Sequence, residues 1–300
     1  MARRESGTVL AMFRRSLYVR FGDAVICVGA LSLGRGPLNV LCALPDRVVW
    51  PNYGIAAGGP VTWADEDLAL GSELRIALKG ATRWEAASAL PFLVADLRSG
   101  LLRLAEEVEQ CDAGGLGALI PFLCRRESAG DGNDGPDELL LRAALPPIMM
   151  LSRWLSSALA GSLDRPPDCS PLIGLGPGLT PSGDDFLCGA MATLYHLGEH
   201  KLAHQLAAEV LPRAEQTGII SRSFLRCAAE GQLSGVFFNV LQNPLSGGNH
   251  KLSVALNRVH TIGHTSGWDT LAGVVLVSSA LCKAWLMAAS IGGGASGQAP

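Results

Sequence analysis

Two octets far apart in the chain fit one pattern. Residues 182–189 read "SGDDFLCG" and residues 266–273 read "SGWDTLAG", both S-G-x-D-x-L-x-G. Each opens a long apolar stretch, and a serine followed three positions later by an acid resembles a capping box at a helix start. Gly189 and Gly273 recur at the same place in each, where a missing side chain lets another helix come close. The pattern therefore predicts two similar helices that pack as a pair. If their N-termini converge, the hydroxyls of Ser182 and Ser266 and the acids Asp184, Asp185 and Asp269 surround one site. Duplicate capping chemistry with no shared site is the competing reading.

The loop before the first octet, "GLGPGLTP", is shaped rather than floppy. Gly174, Gly176, Gly178 and Gly183 allow positive φ and close backbone approach, while Pro177 and Pro181 fix their own φ and restrict the residues before them. A helix N-terminus carries unpaired N–H groups and about half a positive charge, so such a loop–helix joint suits an anion. The candidate substrate-binding residues are Gly176, Gly178, Thr180, Ser182 and Gly183 on the first joint and Thr265, Ser266 and Gly267 on the second. A third hydroxyl-rich helix start, "QTGIISRSFLRCAAEG", adds Thr217, Ser221, Arg222 and Ser223. There a guanidinium suits carboxylate or phosphate, although a solvated basic face explains Arg222 and Arg226 as well. Candidate catalytic groups are Asp184, Asp185, Asp269 and His264, the last a general acid or base near neutral pH.

Several standard chemistries are missing. There is no Walker loop, no G-x-G-x-x-G fingerprint and no G-x-S-x-G elbow. His196, His200 and His204 recur every four residues, but Gly198 speaks against one continuous helix, and no metal site is assigned. No cofactor is assigned either, although the adjacent Asp184–Asp185 carboxylates leave Mg²⁺ open.

Only 17% of the 300 residues are charged, against about 25% in typical domains, and 48% are apolar, so a large core is expected. A net charge of -3 argues against a nucleic-acid partner. The eight cysteines form no C-x-x-C pair and several lie in apolar runs, as expected of a reducing, cytoplasmic setting. No apolar leader follows the early arginines. The most membrane-like stretch, "LAGVVLVSSALCKAWLMAASI", carries Lys283 near its middle and reads as a buried core helix, so no membrane partner is expected.

The fold class expected is α+β, with a small β-rich, barrel-like N-terminal domain over 1–78, a mostly α-helical domain over 79–290 and a flexible tail over 291–300. "SLYVRFG", "AVICVGA", "LNVLCAL" and "RVVWP" read as four short strands. "WEAASALPFLVADLRSGLLRLAEEVEQ" reads as helix with Pro91 as a break or first-turn residue. Residues 113–136 contain a surface loop, densest at "SAGDGNDG". The stretch after Pro136 reads as a helix interrupted at Pro146 and Pro147. Further helices are expected around 184–199, 201–213, 221–231 and 268–287.

The segments "GLGPGLTPSGDDFLCG", "ISRSFLRCAAEG" and "GHTSGWDTLAG", in this order, resemble the AllH family, formerly catalogued as a domain of unknown function and including a subunit of bacterial oxamate carbamoyltransferase. The resemblance covers roughly residues 170–280 and, more loosely, "GPLNV" near the N-terminus. It implies carbamoyl transfer between carbamoyl phosphate and oxamate, with oxalurate on the other side, in purine or allantoin breakdown. It also implies a hetero-oligomer with other transferase subunits, and it assigns no catalytic residues. Two further readings stand beside it. One is a Mg²⁺-dependent small-molecule kinase, from the likeness of "SGDDFLCGA" to a sugar-kinase helix start. The other is a non-catalytic assembly subunit.

Overall fold

A computed structural model describes residues 4–86, 94–125, 139–246 and 249–291. The "SAGDGNDG" loop, Pro91, Pro136 and residues 292–300 lie outside the described residues. The chain divides into two compact units, Met1–Ala86 and Ala87–Pro300.

The first unit is a seven-stranded, nearly closed barrel-like sheet. Its strands are β1 (Arg4–Met12), β2 (Ser16–Phe21), β3 (Ala24–Ala30), β4 (Asn39–Cys42), β5 (Pro60–Ala64), β6 (Asp67–Leu70) and β7 (Leu74–Ala77). They lie in the order β4-β3-β2-β1-β5-β6-β7. All neighbours are antiparallel except β3 and β4, which run parallel with Cys27 opposite Asn39. β2 shows why the sequence folds this way. Leu17, Val19 and Phe21 point inward while Tyr18 and Arg20 lie on the other face, the two-residue period of a half-buried strand. Each such side chain contributes about 1.5–3 kcal/mol on burial. The register between β1 and β2 shifts between Val9 and Ala11, a bulge that bends β1. Val9, Leu17, Val19, Val28, Trp50, Val61, Leu68 and Leu70 fill the interior.

Two sequence expectations change here. "RVVWP" is not a strand: Trp50–Tyr53 form a 3-10 turn, and the Trp50 indole N–H reaches back to the Phe13 carbonyl at 2.7 Å. Four strands become seven, because β1 carries few apolar residues and β5, β6 and β7 are only four or five residues long. Strand pairing, not local pattern, defines them.

The second unit is helical. It contains α1 (Val94–Glu109), α2 (Ile120–Arg125), α3 (Leu139–Leu159), α4 (Ser182–His196), α5 (His200–Val210), α6 (Ile219–Ala229), α7 (Gly235–Ser246), α8 (Asn249–His260) and α9 (Ser266–Ile291). α7 and α8 escape the sequence reading. α3 runs unbroken through Pro146 and Pro147. Ala144, Ile148, Leu151 and Leu155 of its buried face join the core, and that packing outweighs the lost backbone bond. Ahead of the segment in which the surface loop is densest, Gly115–Leu119 form a 3-10 turn leading into α2, with Leu116, Leu119, Ile120 and Leu123 buried.

α4 and α9 form the centre. Every α4 residue except Tyr195 is buried, and Gly267–Cys282 of α9 are buried without interruption. α9 is long and apolar enough to cross a membrane by length and composition, yet that stretch is packed inside this unit. The two helices run side by side in the same direction. A Cβ on Gly189 would sit 2.1 Å from the Thr270 carbonyl oxygen, and one on Gly273 would sit 2.0 Å from that of Phe186. Each glycine thus lets the partner's backbone into the space of a missing side chain. Gly189→Ala and Gly273→Ala are each expected to lower stability by about 1–3 kcal/mol or more, read by denaturant unfolding. Gly235→Ala, which meets nothing within 4 Å, should stay near wild type.

Candidate functional site

The close helix contact brings the two octets together at one end of the unit. The Thr180 and Ser266 hydroxyl oxygens are 2.8 Å apart, although 86 positions separate them in sequence. The hydroxyls of Ser266 and Thr180 bear on the Asp185 carboxyl. Those of Thr265 and Ser182 bear on Asp269, which also accepts the Leu116 N–H at 2.6 Å. Each octet's serine therefore serves the other octet's aspartate. The crossed pairing makes a quartet, Ser182, Asp185, Ser266 and Asp269, related by a local pseudo-twofold.

The loops repeat the symmetry. Gly176 and Gly263, both at positive φ, lie against Ser182 and Ser266 respectively. A Cβ on Gly183 would meet the Leu172 carbonyl oxygen at 1.9 Å, and one on Gly267 that of Val259 at 2.1 Å. The capping-box reading of the first octet is overturned. Pro181, not Ser182, is the N-cap of α4, and no side chain caps it. The Asp184 and Asp185 N–H groups bond the Pro181 carbonyl, so Ser182 is left to face across to α9.

Five of the first-turn amides expected to hold an anion are turned onto the chain itself. Gly183 N–H donates to Leu175 O at 2.9 Å and Gly267 N–H to Ile262 O at 3.0 Å. Asp269 N–H likewise donates to Thr265 O. What the helix mouths leave over is acidic. Asp269 is fully buried and Asp185 is 7% exposed, yet Asp185 Oδ2 and Asp269 Oδ2 are buried without a hydrogen-bond partner. Burial pushes the Asp185 carboxyl well above the ordinary carboxylate range, and the Asp269 and Asp184 charges add to this against the opposing Ser266 and Thr180 hydroxyls. Burial raises Asp269 too, opposed by the Leu116 N–H and the Thr265 and Ser182 hydroxyls.

Asp184 faces elsewhere. Its Oδ1 accepts the Gly174 N–H at 2.9 Å, and its Oδ2 accepts Thr217 at 2.5 Å and Ser221 at 2.6 Å. It is a brace tying the glycine loop and the start of α6 to α4, and it uses up two of the hydroxyls predicted to bind substrate. The Asp184 and Asp185 carboxyls thus address different neighbours, so the adjacent pair does not form one Mg²⁺ ligand set. Ser223 bonds its own helix at Ile219 O. Arg222 pairs with Glu215, while its Nε is buried without a partner. His264, Gly178 and Leu179 are exposed, whereas Thr180, Thr265 and Ser266 are half-buried at the rim. His196 and His200 fall on different helices, and the His196 ring nitrogen bonds Gly231 O at 2.7 Å.

Sequence reasoning missed one contributor, the turn at Gly114–Gly115–Leu116. Gly115, at positive φ, leaves no room for a Cβ beside the Asp269 carboxyl, and Leu116 supplies a backbone donor to it. The spacing of Gly114, Gly115 and Gly117 in "AGGLG" was the available signal.

The geometry defines a helical unit organised around a duplicated, glycine-notched helix start that carries buried acids. Residues 172–278 match the family model described as oxamate carbamoyltransferase subunit AllH. The match runs from the loop ahead of α4 to the middle of α9 and contains both octets. No solved structure matches the chain.

Two outcomes follow. Asp184→Ala strands three donors, at roughly 1 kcal/mol or more each, and should lower stability by about 3 kcal/mol in denaturant unfolding. Asp185 keeps its proton to higher pH when folded than when unfolded, so its stabilising contribution is complete below about pH 4 and lost as pH rises through the raised native value. Asp185→Asn removes that loss. The fall in melting temperature between pH 5 and pH 8 should be smaller in Asp185→Asn than in wild type.

Proposed function

We propose that this chain is a subunit of a carbamoyltransferase that handles a small anionic amide at the joined mouths of α4 and α9. The observation that carries the reading is the crossed pairing of Ser182 with Asp269 and Ser266 with Asp185 inside the segment that matches the AllH model. A structural cap needs no such crossing, and it does not strand buried carboxylate oxygens.

With oxamate and carbamoyl phosphate as substrates, the oxamate nitrogen forms a bond to the carbamoyl carbon. The bond from that carbon to the phosphate oxygen breaks, inorganic phosphate leaves, and one N–H proton is lost. The product is oxalurate. Proton removal is what a poorly nucleophilic amide nitrogen requires, and a buried carboxylate with a raised pKa is a suitable acceptor. The rim hydroxyls of Thr180, Thr265 and Ser266 orient the reacting groups. Arg222, which pairs with Glu215 but keeps its Nε without a partner, is the cation assigned to the charged end of the substrate. As a subunit, the chain works beside partner chains that complete the site.

The test is carbamoyl-phosphate-dependent oxalurate formation by the chain purified with the subunits it assembles with. Asp269→Ala and the double variant Ser182→Ala, Ser266→Ala should each lower the rate by about 10²-fold or more while the assembly stays intact. Wild-type rates in both would overturn the proposed site.

A further inference from the structure

The quartet leaves two buried acceptors with nothing to accept, Asp185 Oδ2 and Asp269 Oδ2, on the two facing helix starts. A buried polar atom without a partner is costly, so the ligand that fills this place is constrained by what surrounds it. A cation is opposed by the positive ends of two helices pointing at the same place. An anion is opposed by the two carboxyl groups, and the Gly183, Asp184, Asp185, Gly267 and Asp269 amides are turned onto Leu175 O, Pro181 O, Ile262 O and Thr265 O. A neutral group with both donors and an acceptor meets neither objection.

We infer that Asp185 and Asp269 form a recognition site for an unsubstituted amide or carbamoyl group, one carboxyl oxygen accepting from its NH₂ and the other donating to its carbonyl. The inference rests on the proposed function and deepens it, since it assigns the amide end of the substrate to this pair. Two neighbouring buried carboxyl groups do not both ionise readily, so one proton stays with the pair and titrates as a shared property. The Ser266 and Thr180 hydroxyls bear on Asp185, and those of Thr265 and Ser182 on Asp269. Asp184 and Cys188 lie on the same helix as Asp185, and neither relieves the pair. The 3-10 turn offers only the Leu116 N–H, which goes to Asp269 Oδ1. With one oxygen protonated and one not, the pair presents a donor beside an acceptor, the complement of a primary amide. The Ser182 and Ser266 hydroxyls hold the two carboxyls in place and are positioning residues.

The test is calorimetric titration of the full chain, purified with the subunits it assembles with, with oxamate, with oxalate, which lacks the NH₂, and with N,N-dimethyloxamate, which keeps the carbonyl but has no N–H. Oxamate is expected to bind at least tenfold more tightly than either. Asp185→Ala and Asp269→Ala should each erase that preference, whereas Asp185→Asn, which keeps an acceptor and a donor in the same space, should retain most of it. A purely electrostatic role would make the Asn variant behave like the Ala variant and would overturn the inference. Equal binding of all three ligands by wild type overturns the inference but leaves the helix-mouth site standing. Binding of none of them, or heat from Mg²⁺ alone, overturns both. Should the Ala variants fail to fold, the wild-type ligand series decides the matter alone.

Discussion

The helical unit depends on one contact, the approach of the α4 and α9 backbones through Gly189 and Gly273. With any side chain at either position, the helices would stand off and the two octets would separate. Their closeness does two things at once. It packs a buried part of the core, with Thr270 and Val274 close to Gly189 and Phe186 and Ala190 close to Gly273. It also forces two aspartates, each on the first turn of its own helix, into a shared low-dielectric space where their charges interact.

That arrangement explains how buried acids persist in a unit otherwise filled with hydrocarbon. Asp184 is retained because three donors compensate it, and it holds the glycine loop and α6 against α4. Asp185 and Asp269 are only partly compensated. Each has one hydroxyl neighbour from the other octet and one from a threonine ahead of a helix, and each keeps one oxygen free of partners. A fold that needed these residues for stability alone would do better with amides or apolar groups. Partly uncompensated buried carboxyls of this kind are enriched at binding and proton-handling sites.

Much of the candidate site's framework was legible in the sequence. The repeated S-G-x-D-x-L-x-G octet identifies both helices, the glycine at which they touch and the serine–aspartate spacing. Other parts were not. Nothing local distinguishes Asp184, a brace, from Asp185 beside it, because the difference lies in which neighbour each carboxyl meets. Ser182 carries the signature of a cap, but Pro181 takes that place and frees the hydroxyl for Asp269. The Gly114–Leu116 turn lies about 150 positions from Asp269, and only packing reveals its N–H as a donor to it. In the β unit, β1 and β5 to β7 are too short or too polar for local pattern to mark. Hydrogen bonding to neighbours defines them.

The sequence by itself determined the two helix starts, the burial of the helices that follow them, the change from short strands to helices, and the chemical inventory of hydroxyls, acids and glycines. Those properties follow from residue spacing and hydropathy, which act over a few residues. Tertiary structure alone decided the crossing of serine to the opposite aspartate, the use of the first-turn amides by Leu175, Ile262 and their neighbours, and the two carboxylate oxygens left without partners. These depend on which groups meet across the helix contact, and hydrogen bonding over 3 Å between residues more than 80 positions apart is beyond the reach of any local pattern.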